Sequence, residues 1–283
     1  MTHSDTGEAV FAFGPVRYDL ASRPFVMGIL NVTPDSFSDG GRFAAPQDAI
    51  QHGVQLVADG ADFLDIGGES TRPGSDPVSV EEELRRVIPV ISGLRESVSI
   101  PISIDTYKSE VARESLDAGA TIVNDVSGLT FDARMAAVIA EHKATVIVMH
   151  MKGTPKSMQE NPQYGDLLRE VREFLWKSSQ SAKTSGIRQI IVDPGIGFGK
   201  TMNHNLELMK RLPEIVSLGY PVLVGPSRKS FIGTILNAGP DQRLEGTIAA
   251  SVICAMKGAS IVRVHDVKET VRALKILRAV EHS

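Results

Sequence analysis

Two basic side chains lie close together at the end of the last β-branched run of the sequence, residues 261–265 (IVRVH). Because successive side chains of a strand alternate between its faces, Arg263 and His265 should point the same way. A helix start, residues 266–269 (DVKE), follows at once, and a helix N-terminus favours anions. The pattern predicts a binding site for a phosphate-like group.

Two long polar segments follow earlier β-branched runs. The first, residues 31–41, reads NVTPDSFSDGG, and the second, residues 67–74, reads GGESTRPG. Their glycines let backbone N–H groups approach an anion, and Ser70, Thr71 and Arg72 add further donors. Surface turns are the alternative interpretation, but two such loops on one rim favour active-site lids.

The elements that must position these residues alternate between short β-branched runs and helical stretches, which predicts a parallel sheet. The eight strand-like runs are residues 25–32, 63–66, 102–105, 121–126, 145–150, 189–193, 222–225 and 261–265. The helical stretches are residues 48–58, 81–94, 110–116, 132–141, 167–182 and 267–277. We expect a (β/α)8 TIM barrel, with a doubly wound open sheet as the alternative.

Residues 1–24 fit no βα unit and are interpreted as a short N-terminal extension. Residues 10–18, with Gly14 and Pro15 between them, predict a hairpin that closes the barrel floor. No internal repeat or linker divides residues 25–283, so we expect one barrel domain there.

Local signals mark two helix starts. Ser79 with Glu82, and Asp266 with Glu269, have the spacing of a capping box. Pro89 lies within the apolar stripe of the second predicted helix, so we expect a kink or a break there.

The composition argues against several classes of protein. The chain has 283 residues, 42% hydrophobic and 23% charged, with a net charge of -4. Dispersed basic residues and 5% aromatic residues argue against nucleic-acid binding. The single cysteine, Cys254, excludes an internal disulfide and fits a buried thiol in a cytoplasmic protein. We expect no signal peptide and no membrane span, because the sequence has neither a basic leader nor a long apolar run.

Residues 28–41 (GILNVTPDSFSDGG) and 65–74 (DIGGESTRPG) resemble the two signature loops of the dihydropteroate synthases. Six polar residues then follow in the order of that family: Asp105, Asn124, Asp193, Lys229, Arg263 and His265. The resemblance covers the chain from about Phe25 to its end. It implies a pterin-binding barrel that condenses dihydropterin pyrophosphate with p-aminobenzoate, giving dihydropteroate and pyrophosphate in folate synthesis.

The resemblance implies a pterin pocket built from carboxylate, amide and ammonium groups, as the donors and acceptors along a pterin edge require. Asp193 would accept from the 2-amino and ring N–H groups, and Lys229 would donate to the carbonyl. Asn124 and Asp105 would complete the edge. Met149 would pack on the flat ring, with a plain core role as the alternative. For Lys229, a Schiff base is the rival interpretation.

The implied chemistry is loss of pyrophosphate from a carbon attached to an electron-rich heterocycle. We expect a largely dissociative substitution, in which pyrophosphate leaves before the aniline nitrogen attacks. Arg263, His265 and Lys229 would act with Mg²⁺ on the developing charge. Asn31 is the implied protein ligand of the metal, since Mg²⁺ keeps several waters and phosphate oxygens. Asp39 would stabilise the pterin cation.

The resemblance places p-aminobenzoate beside the loops, where sulfonamides should compete with it. The implied residues are Thr71, Arg72, Pro73, Phe198, Lys229 and Ser230. An Arg or Ser side chain would meet the carboxylate, and Phe198 would form an apolar wall or simply fill space. The family also suggests a homodimer through helices that include residues 243–257.

Two rival functions remain. A barrel that passes a methyl group from a reduced folate to a corrinoid protein would share the pterin pocket, but it would need neither a pyrophosphate clamp nor two long lids. A non-catalytic pterin-binding homologue would be favoured by loss of Asn31, Arg72 or Lys229, and all three are present. Asp65 and Asp125 are interpreted as structural.

Overall fold

The computed structural model of the chain describes residues 10–33, 44–71 and 74–283. Within these residues, eight parallel strands form one sheet in the order β8-β7-β6-β5-β4-β3-β10-β9. A bridge between Val192 and Val222 brings the start of β9 against β8. Helices surround this ring of strands, so the predicted TIM barrel is confirmed.

The strands and helices have the following bounds. The strands are β1 (Val10–Phe13), β2 (Val16–Asp19), β3 (Phe25–Asn31), β4 (Phe63–Gly67), β5 (Ile102–Asp105), β6 (Ile122–Asp125), β7 (Thr145–Met149), β8 (Ile190–Asp193), β9 (Leu223–Val224) and β10 (Ile261–Val264). The helices are α1 (Ala44–Ala58), α2 (Val80–Ser97), α3 (Ser109–Asp117), α4 (Met135–Glu141), α5 (Leu167–Thr184), α6 (Met202–Lys210), α7 (Leu212–Val216), α8 (Ser230–Leu236), α9 (Leu244–Met256) and α10 (Val267–Glu281).

The two faces of the barrel strands belong to two separate hydrophobic cores. Outward-facing residues such as Leu64 and Ile66 pack with the helices in the larger core. Inward-facing residues such as Phe63, Met27 and Ile261 form a smaller core inside the barrel. Because both faces of each strand are buried, one in each core, every barrel strand reads as an almost continuous apolar run.

The hairpin β1–β2 packs across the N-terminal end of the barrel strands. Phe13 is 1% exposed and meets Phe63 edge to face, with ring centroids 5.2 Å apart. The Tyr18 ring stacks on Phe25. Gln189 donates its side-chain amide to the Ala12 carbonyl at 2.8 Å, which ties the hairpin to the segment before β8. The apolar interior of the barrel is therefore covered at this end.

The local helix signals had mixed outcomes. Ser79 caps α2 by accepting the Glu82 backbone N–H at 3.2 Å, as expected. Of the kink or break expected at Pro89, the break does not occur: α2 continues through this residue, which is exposed, so the missing backbone hydrogen bond faces water. Asp266 does precede α10, but its side chain makes no cap and instead accepts from Arg228 at 2.6 Å.

Two further expectations concern the whole chain. In the described ranges, none of the helices is long and apolar enough to cross a membrane. Cys254 is fully buried on α9, and burial raises the pKa of its thiol to about 12, so the thiol stays protonated at neutral pH.

Candidate active site

The C-terminal ends of the barrel strands carry polar side chains on the inward face. Asp65 lies two positions after Phe63, and Arg263 lies two positions after Ile261, so each shares the face of an inner-core residue. The inner polar residues at this end are Asn31, Asp65, Asp105, Asn124, Asp193, Arg263 and His265. The barrel interior is therefore apolar near the hairpin and polar at its opposite end, which we call the mouth. Active sites of TIM barrels lie at this end.

Arg263 forms the centre of the mouth through two ion pairs. Its Nε donates to Asp65 Oδ2 at 2.5 Å, and one terminal nitrogen donates to Asp105 Oδ2 at 2.7 Å. Asn124 donates its side-chain amide to the same Asp65 oxygen at 3.0 Å. Burial opposes the charge of Arg263, but the two carboxylates outweigh it and raise the pKa of the guanidinium. These contacts hold four side chains from four strands in one network.

Asp65, which the sequence pattern led us to interpret as structural, lies within this network. It is fully buried on the inward face and joins Arg263 to Asn124. The period-two pattern that runs from Phe63 through Asp65 could have revealed it. Asp125, by contrast, does have a local role, since its carboxylate accepts the backbone N–H groups of Ser127 and Leu129.

Two carboxylate oxygens of the network lack a hydrogen-bond donor within the described residues. These buried atoms are Asp65 Oδ1 and Asp105 Oδ1. Burial raises the pKa of Asp105 above its ordinary range, although Arg263 opposes this rise. Buried acceptors without donors are costly, so a ligand with N–H groups would satisfy them.

Asp193 lies at the end of β8, where the chain turns sharply. Its Oδ1 accepts the Gly195 backbone N–H at 2.7 Å. Burial raises the pKa of Asp193 to about 6, while this hydrogen bond and the charges of Lys229 and Lys200 oppose the rise. The carboxylate is thus ionised at neutral pH, near Lys229 and near Lys200, whose own pKa burial lowers to about 7.

Phe198 and Lys229 meet beside this turn. The Lys229 ammonium lies 4.0 Å from the centre of the Phe198 ring, in a cation–π contact. Phe198 also packs on a cluster that contains Met149 and Met151, and Met149 is 2% exposed. An apolar wall with a cation above it therefore borders the mouth.

The turn that carries Lys229 has a strained backbone. Arg228 has a φ of 56°, in the left-handed region that non-glycine residues rarely adopt. Three contacts hold it there: its N–H donates to Thr247, its guanidinium to Asp266, and its carbonyl accepts from Arg243. These contacts fix the backbone immediately before Lys229. Lys229 in turn precedes α8, whose first residue is the exposed Ser230.

His265 follows β10 and is held by Ser227. The His265 backbone N–H donates to Ser227 Oγ at 3.2 Å, and the same hydroxyl lies 2.9 Å from His265 Nδ1. The Ser227 hydroxyl thus contacts both the backbone and the ring of His265, which fixes the orientation of the ring. No local sequence pattern links Ser227 to His265, which lies 38 residues further along the chain.

The second loop begins on a buried charge network that sequence analysis also missed. Glu69 accepts from Tyr107, from Lys108 at 2.5 Å and from the Val78 backbone at 3.0 Å. Lys108 also donates to Glu83 at 2.6 Å. Burial raises the pKa of Glu83, and Lys108 opposes that rise. The network anchors the base of the loop up to the half-buried Thr71.

Three expected site residues, Asp39, Arg72 and Pro73, lie outside the described residues. The loop resumes at Gly74, whose N–H donates to the Pro155 carbonyl at 3.2 Å, so the segment after β4 reaches the segment after β7.

Asn31, the expected magnesium ligand, lies at the end of β3. A Cβ placed on Gly67 would lie 3.7 Å from Asn31 Oδ1 and 3.8 Å from Asp105 Cβ, so the amide oxygen lies beside the ion network. No group of three or more His, Cys, Asp or Glu side chains that could hold a metal occurs in the described part of the chain. One amide oxygen suits Mg²⁺, which keeps waters and phosphate oxygens as its other ligands.

The fold and the mouth define a TIM-barrel enzyme with a network of buried charged groups at the C-terminal ends of its strands. The sequence model of the pterin binding enzyme family matches residues 27–265. A dihydropteroate synthase of Synechocystis sp. is 50% identical over 270 residues, covering 94% of this chain and 93% of the relative.

Two solved structures agree with this similarity. A dihydropteroate synthase from Clostridium difficile, crystallised in the presence of pteroic acid, superposes with a TM-score of 0.89 at 48% identity and covers 94% of this chain and 100% of that chain. A Yersinia pestis dihydropteroate synthase in a sulfonamide drug complex gives a TM-score of 0.91 at 44% identity, covering 97% and 100%. The chain therefore belongs to the pterin-binding enzymes, within their dihydropteroate synthase family of transferases.

Proposed function

We propose that the chain condenses 7,8-dihydropterin-6-ylmethyl diphosphate with p-aminobenzoate, giving 7,8-dihydropteroate and pyrophosphate. The observation that carries this proposal is the ion network at the mouth, where two buried carboxylate oxygens lack hydrogen-bond donors in the described residues. A pterin edge carries N–H donors that suit such acceptors. The Clostridium difficile relative was crystallised in the presence of pteroic acid, which joins a pterin to p-aminobenzoate.

The pterin lies between the ion network and the turn after β8. Asp193 accepts from the 2-amino and ring N–H groups, and Lys229 donates to the ring carbonyl. Asp105 and Asn124 meet the remaining edge. Because its pKa is raised to about 6, Asp193 gains a proton as the pH falls below neutrality, and pterin binding weakens there.

p-Aminobenzoate lies along the wall that Phe198 forms, below the Lys229 ammonium. The hydroxyl of Ser230, exposed at the start of α8, and the hydroxyl of Thr71 are donors for its carboxylate. Arg72 and Pro73 belong to the same proposed subsite. Since the Yersinia pestis relative forms a sulfonamide drug complex, we expect sulfonamides to compete with p-aminobenzoate for this chain.

Pyrophosphate departs toward Arg263 and His265. The guanidinium uses Nε and one terminal nitrogen for Asp65 and Asp105, and its remaining N–H groups meet phosphate oxygens. Asn31 would hold Mg²⁺, which would supply positive charge to the leaving group. We propose that Asp39 acts in the same step by stabilising the positive charge that develops on the pterin. With Arg263 and His265 stabilising the leaving group, the proposed substitution is largely dissociative, and the carboxylates of the mouth balance the pterin cation.

We further propose that two copies of the chain pair through α8, α9 and α10 in the cytoplasm. These helices expose apolar side chains that have no role in the mouth. They are Ile235, Leu236, Ile253, Met256, Ile276 and Val280. An exposed apolar surface of this kind typically marks a protein–protein contact. Sedimentation of the wild type against Met256→Glu tests the pairing, and a monomeric wild type contradicts it.

The test of the proposed reaction is pyrophosphate release from dihydropterin pyrophosphate, with and without Mg²⁺ and p-aminobenzoate. Arg263→Ala should lose at least about 100-fold in kcat/KM, the typical loss of one charge-stabilising group. Arg134→Ala is the control, because its side chain is 73% exposed and pairs with Asp132 rather than with the carboxylates that bind Arg263. Tight pterin binding by the wild type without turnover would contradict the proposed reaction and favour a non-catalytic homologue.

The dissociative order has its own test. Positional isotope exchange of the bridging oxygen in the pterin substrate, without p-aminobenzoate, should be detectable if pyrophosphate leaves first. Complete absence of exchange would mean that departure and attack are concerted.

A further inference from the structure

A lysine lies buried beneath the turn that follows Asp193. Lys200 is 2% exposed, and no carboxylate in the described residues lies within ion-pair distance of its ammonium group. Removing an ammonium from water without a partner ion is costly, and burial lowers the pKa of Lys200 to about 7, so its charged form is held at and below neutral pH. A side chain that only filled this space would not need the charge.

Three acceptors surround the Lys200 ammonium. Nζ lies 2.9 Å from the Phe198 carbonyl, 3.0 Å from His150 Nδ1 and 3.3 Å from the His150 carbonyl. An ammonium has three N–H donors, so the three acceptors match it. Burial, together with the charge of Lys200, lowers the pKa of His150 to about 2, which leaves the ring neutral and Nδ1 able to accept. Lys200 therefore joins the turn after β8 to the end of β7.

The turn leaves no space on either side. A Cβ on Gly195 would lie 1.9 Å from the His150 carbonyl oxygen and 3.3 Å from Lys200 Nζ. A Cβ on Gly197 would lie 2.7 Å from Lys229 Cδ. The turn is thus confined between Lys200 and Lys229, and it presents the Phe198 ring to the second lysine at 4.0 Å.

We infer that Lys200 is a positioning residue for the second substrate: its buried ammonium holds the Phe198 wall in place by binding the Phe198 and His150 carbonyls. This inference rests on the proposed function, because the wall is the proposed p-aminobenzoate subsite. Lys200 does not touch either substrate. It acts through the backbone of the turn.

The charge of Lys200 has a second effect, on Asp193. The titratable groups that face Lys200 are His150 from the end of β7, Asp193 from β8 and Lys229 from the segment before α8. Lys200 and Asp193 attract each other, so the ammonium favours the ionised carboxylate. Without Lys200, Asp193 should hold its proton to higher pH.

The experiment compares the wild type with Lys200→Met, Lys200→Arg and the control Lys177→Met, whose side chain is exposed on α5. Steady-state kinetics give KM for each substrate and kcat, and calorimetry gives the sulfonamide Kd. For Lys200→Met we expect KM for p-aminobenzoate and the sulfonamide Kd to rise by about tenfold, the loss of roughly one charged hydrogen bond. At high pH the KM for the pterin should change far less. Lys200→Arg should recover part of the loss.

The pH profile separates this role from a structural one. The acid limb of pterin kcat/KM should move to higher pH in Lys200→Met and stay in place in Lys177→Met. If Lys200→Met does not fold, His150→Phe keeps the ring contact with Phe174 and removes one acceptor, and it should raise the KM for p-aminobenzoate in the same direction. Lower thermal stability with unchanged KM, Kd and acid limb would overturn the inference. A wild type that binds sulfonamide without turnover would contradict the reaction instead, and the Kd comparison would still decide the role of Lys200.

Discussion

Replacing Arg263 by methionine tests the physical basis of the mouth, because the side chain keeps most of its volume and loses its charge. Arg263 is 18% exposed and pairs with both Asp65 and Asp105. Without the guanidinium, two buried carboxylates face each other with no cation in direct contact.

The expected cost follows from these two ion pairs. At an effective dielectric constant of about 20, one unit charge pair at about 4 Å is worth about 4 kcal/mol, so the two contacts amount to about 8 kcal/mol before desolvation. Bringing the ions out of water offsets several kcal/mol of this. Removing one partner of a buried pair typically costs about 3–5 kcal/mol, and we expect Arg263→Met to lower the free energy of unfolding by that amount near about pH 8.

The loss should depend on pH in one direction. In the wild type, burial already raises the pKa of Asp105 to about 7 despite Arg263, and the substitution raises it further. A folded-state pKa above the unfolded value of about 3.9 means that the native state binds more protons, so stability falls as pH rises through that range. Because the variant's pKa lies above that of the wild type, the deficit grows as pH rises through about 7 and is smallest at acid pH.

Urea unfolding at about pH 5.5 and about pH 8.5, followed by circular dichroism, measures both effects. Adding Asp105→Asn to Arg263→Met should recover part of the loss at the higher pH. Arg23→Met is the control, since Arg23 pairs with Asp62 near the barrel floor, is 29% exposed, and should cost about 1 kcal/mol or less. A deficit that is equal at both pH values, or one that Asp105→Asn deepens, would refute the reasoning.

Three further substitutions probe the floor, the turn and the second loop. Phe13→Ala removes a ring that is 1% exposed and should cost about 3–5 kcal/mol in urea unfolding while KM for both substrates is unchanged. Gly197→Ala places a Cβ 2.7 Å from Lys229 Cδ and should lower kcat/KM by at least about tenfold, roughly what a misplacement of catalytic groups costs. Lys108→Met removes the ammonium from Glu69 and should raise the KM for p-aminobenzoate and cost about 3–5 kcal/mol of stability.

Each of these three predictions has an outcome that would contradict it. Gly219→Ala is the control for Gly197→Ala, because Gly219 has a φ of +81° with nothing within 4 Å, so it reports backbone strain alone. Equal losses of kcat/KM in the two glycine variants would mean that backbone strain, and not the contact with Lys229, causes the effect of Gly197→Ala. A Phe13→Ala variant with altered KM would mean that the floor and the mouth are coupled, and an unchanged Lys108→Met variant would mean that the second loop is held elsewhere.

The sequence predicted the barrel because strand and helix patterns repeat locally, and each strand of the sheet reads as a short β-branched run. It also predicted which strand ends carry polar residues. It did not predict how these residues pair. Arg263 was interpreted as a phosphate ligand alone, whereas its two carboxylate partners lie 158 and 198 residues away along the chain. Such contacts depend on the closed ring of strands and leave no local pattern.

Two lysines, Lys200 and Lys108, show most clearly that the local sequence does not indicate long-range contacts. Lys200 and Lys108 follow polar or glycine-rich segments and read as surface residues, yet Lys200 is 2% exposed and Lys108 binds two carboxylates. Pro89 illustrates the opposite error, since a residue that usually ends a helix is tolerated on the solvent side of α2. In all three cases the deciding quantity is burial, which the neighbouring sequence does not give.

The short strand β9 gives the barrel a seam. It contains two residues, and beyond its pairing with β10 it meets β8 through the Val192–Val222 bridge. Amide hydrogens along such a seam should exchange with solvent before those of the longer strands, as local opening starts where cross-strand bonds are fewest. Asp193 stands on one side of the seam and Lys229 follows the strand on the other. A bound pterin that contacts both residues would link the two sides of the seam. Pterin binding would therefore stabilise the closed barrel at the place where its own strands pair least.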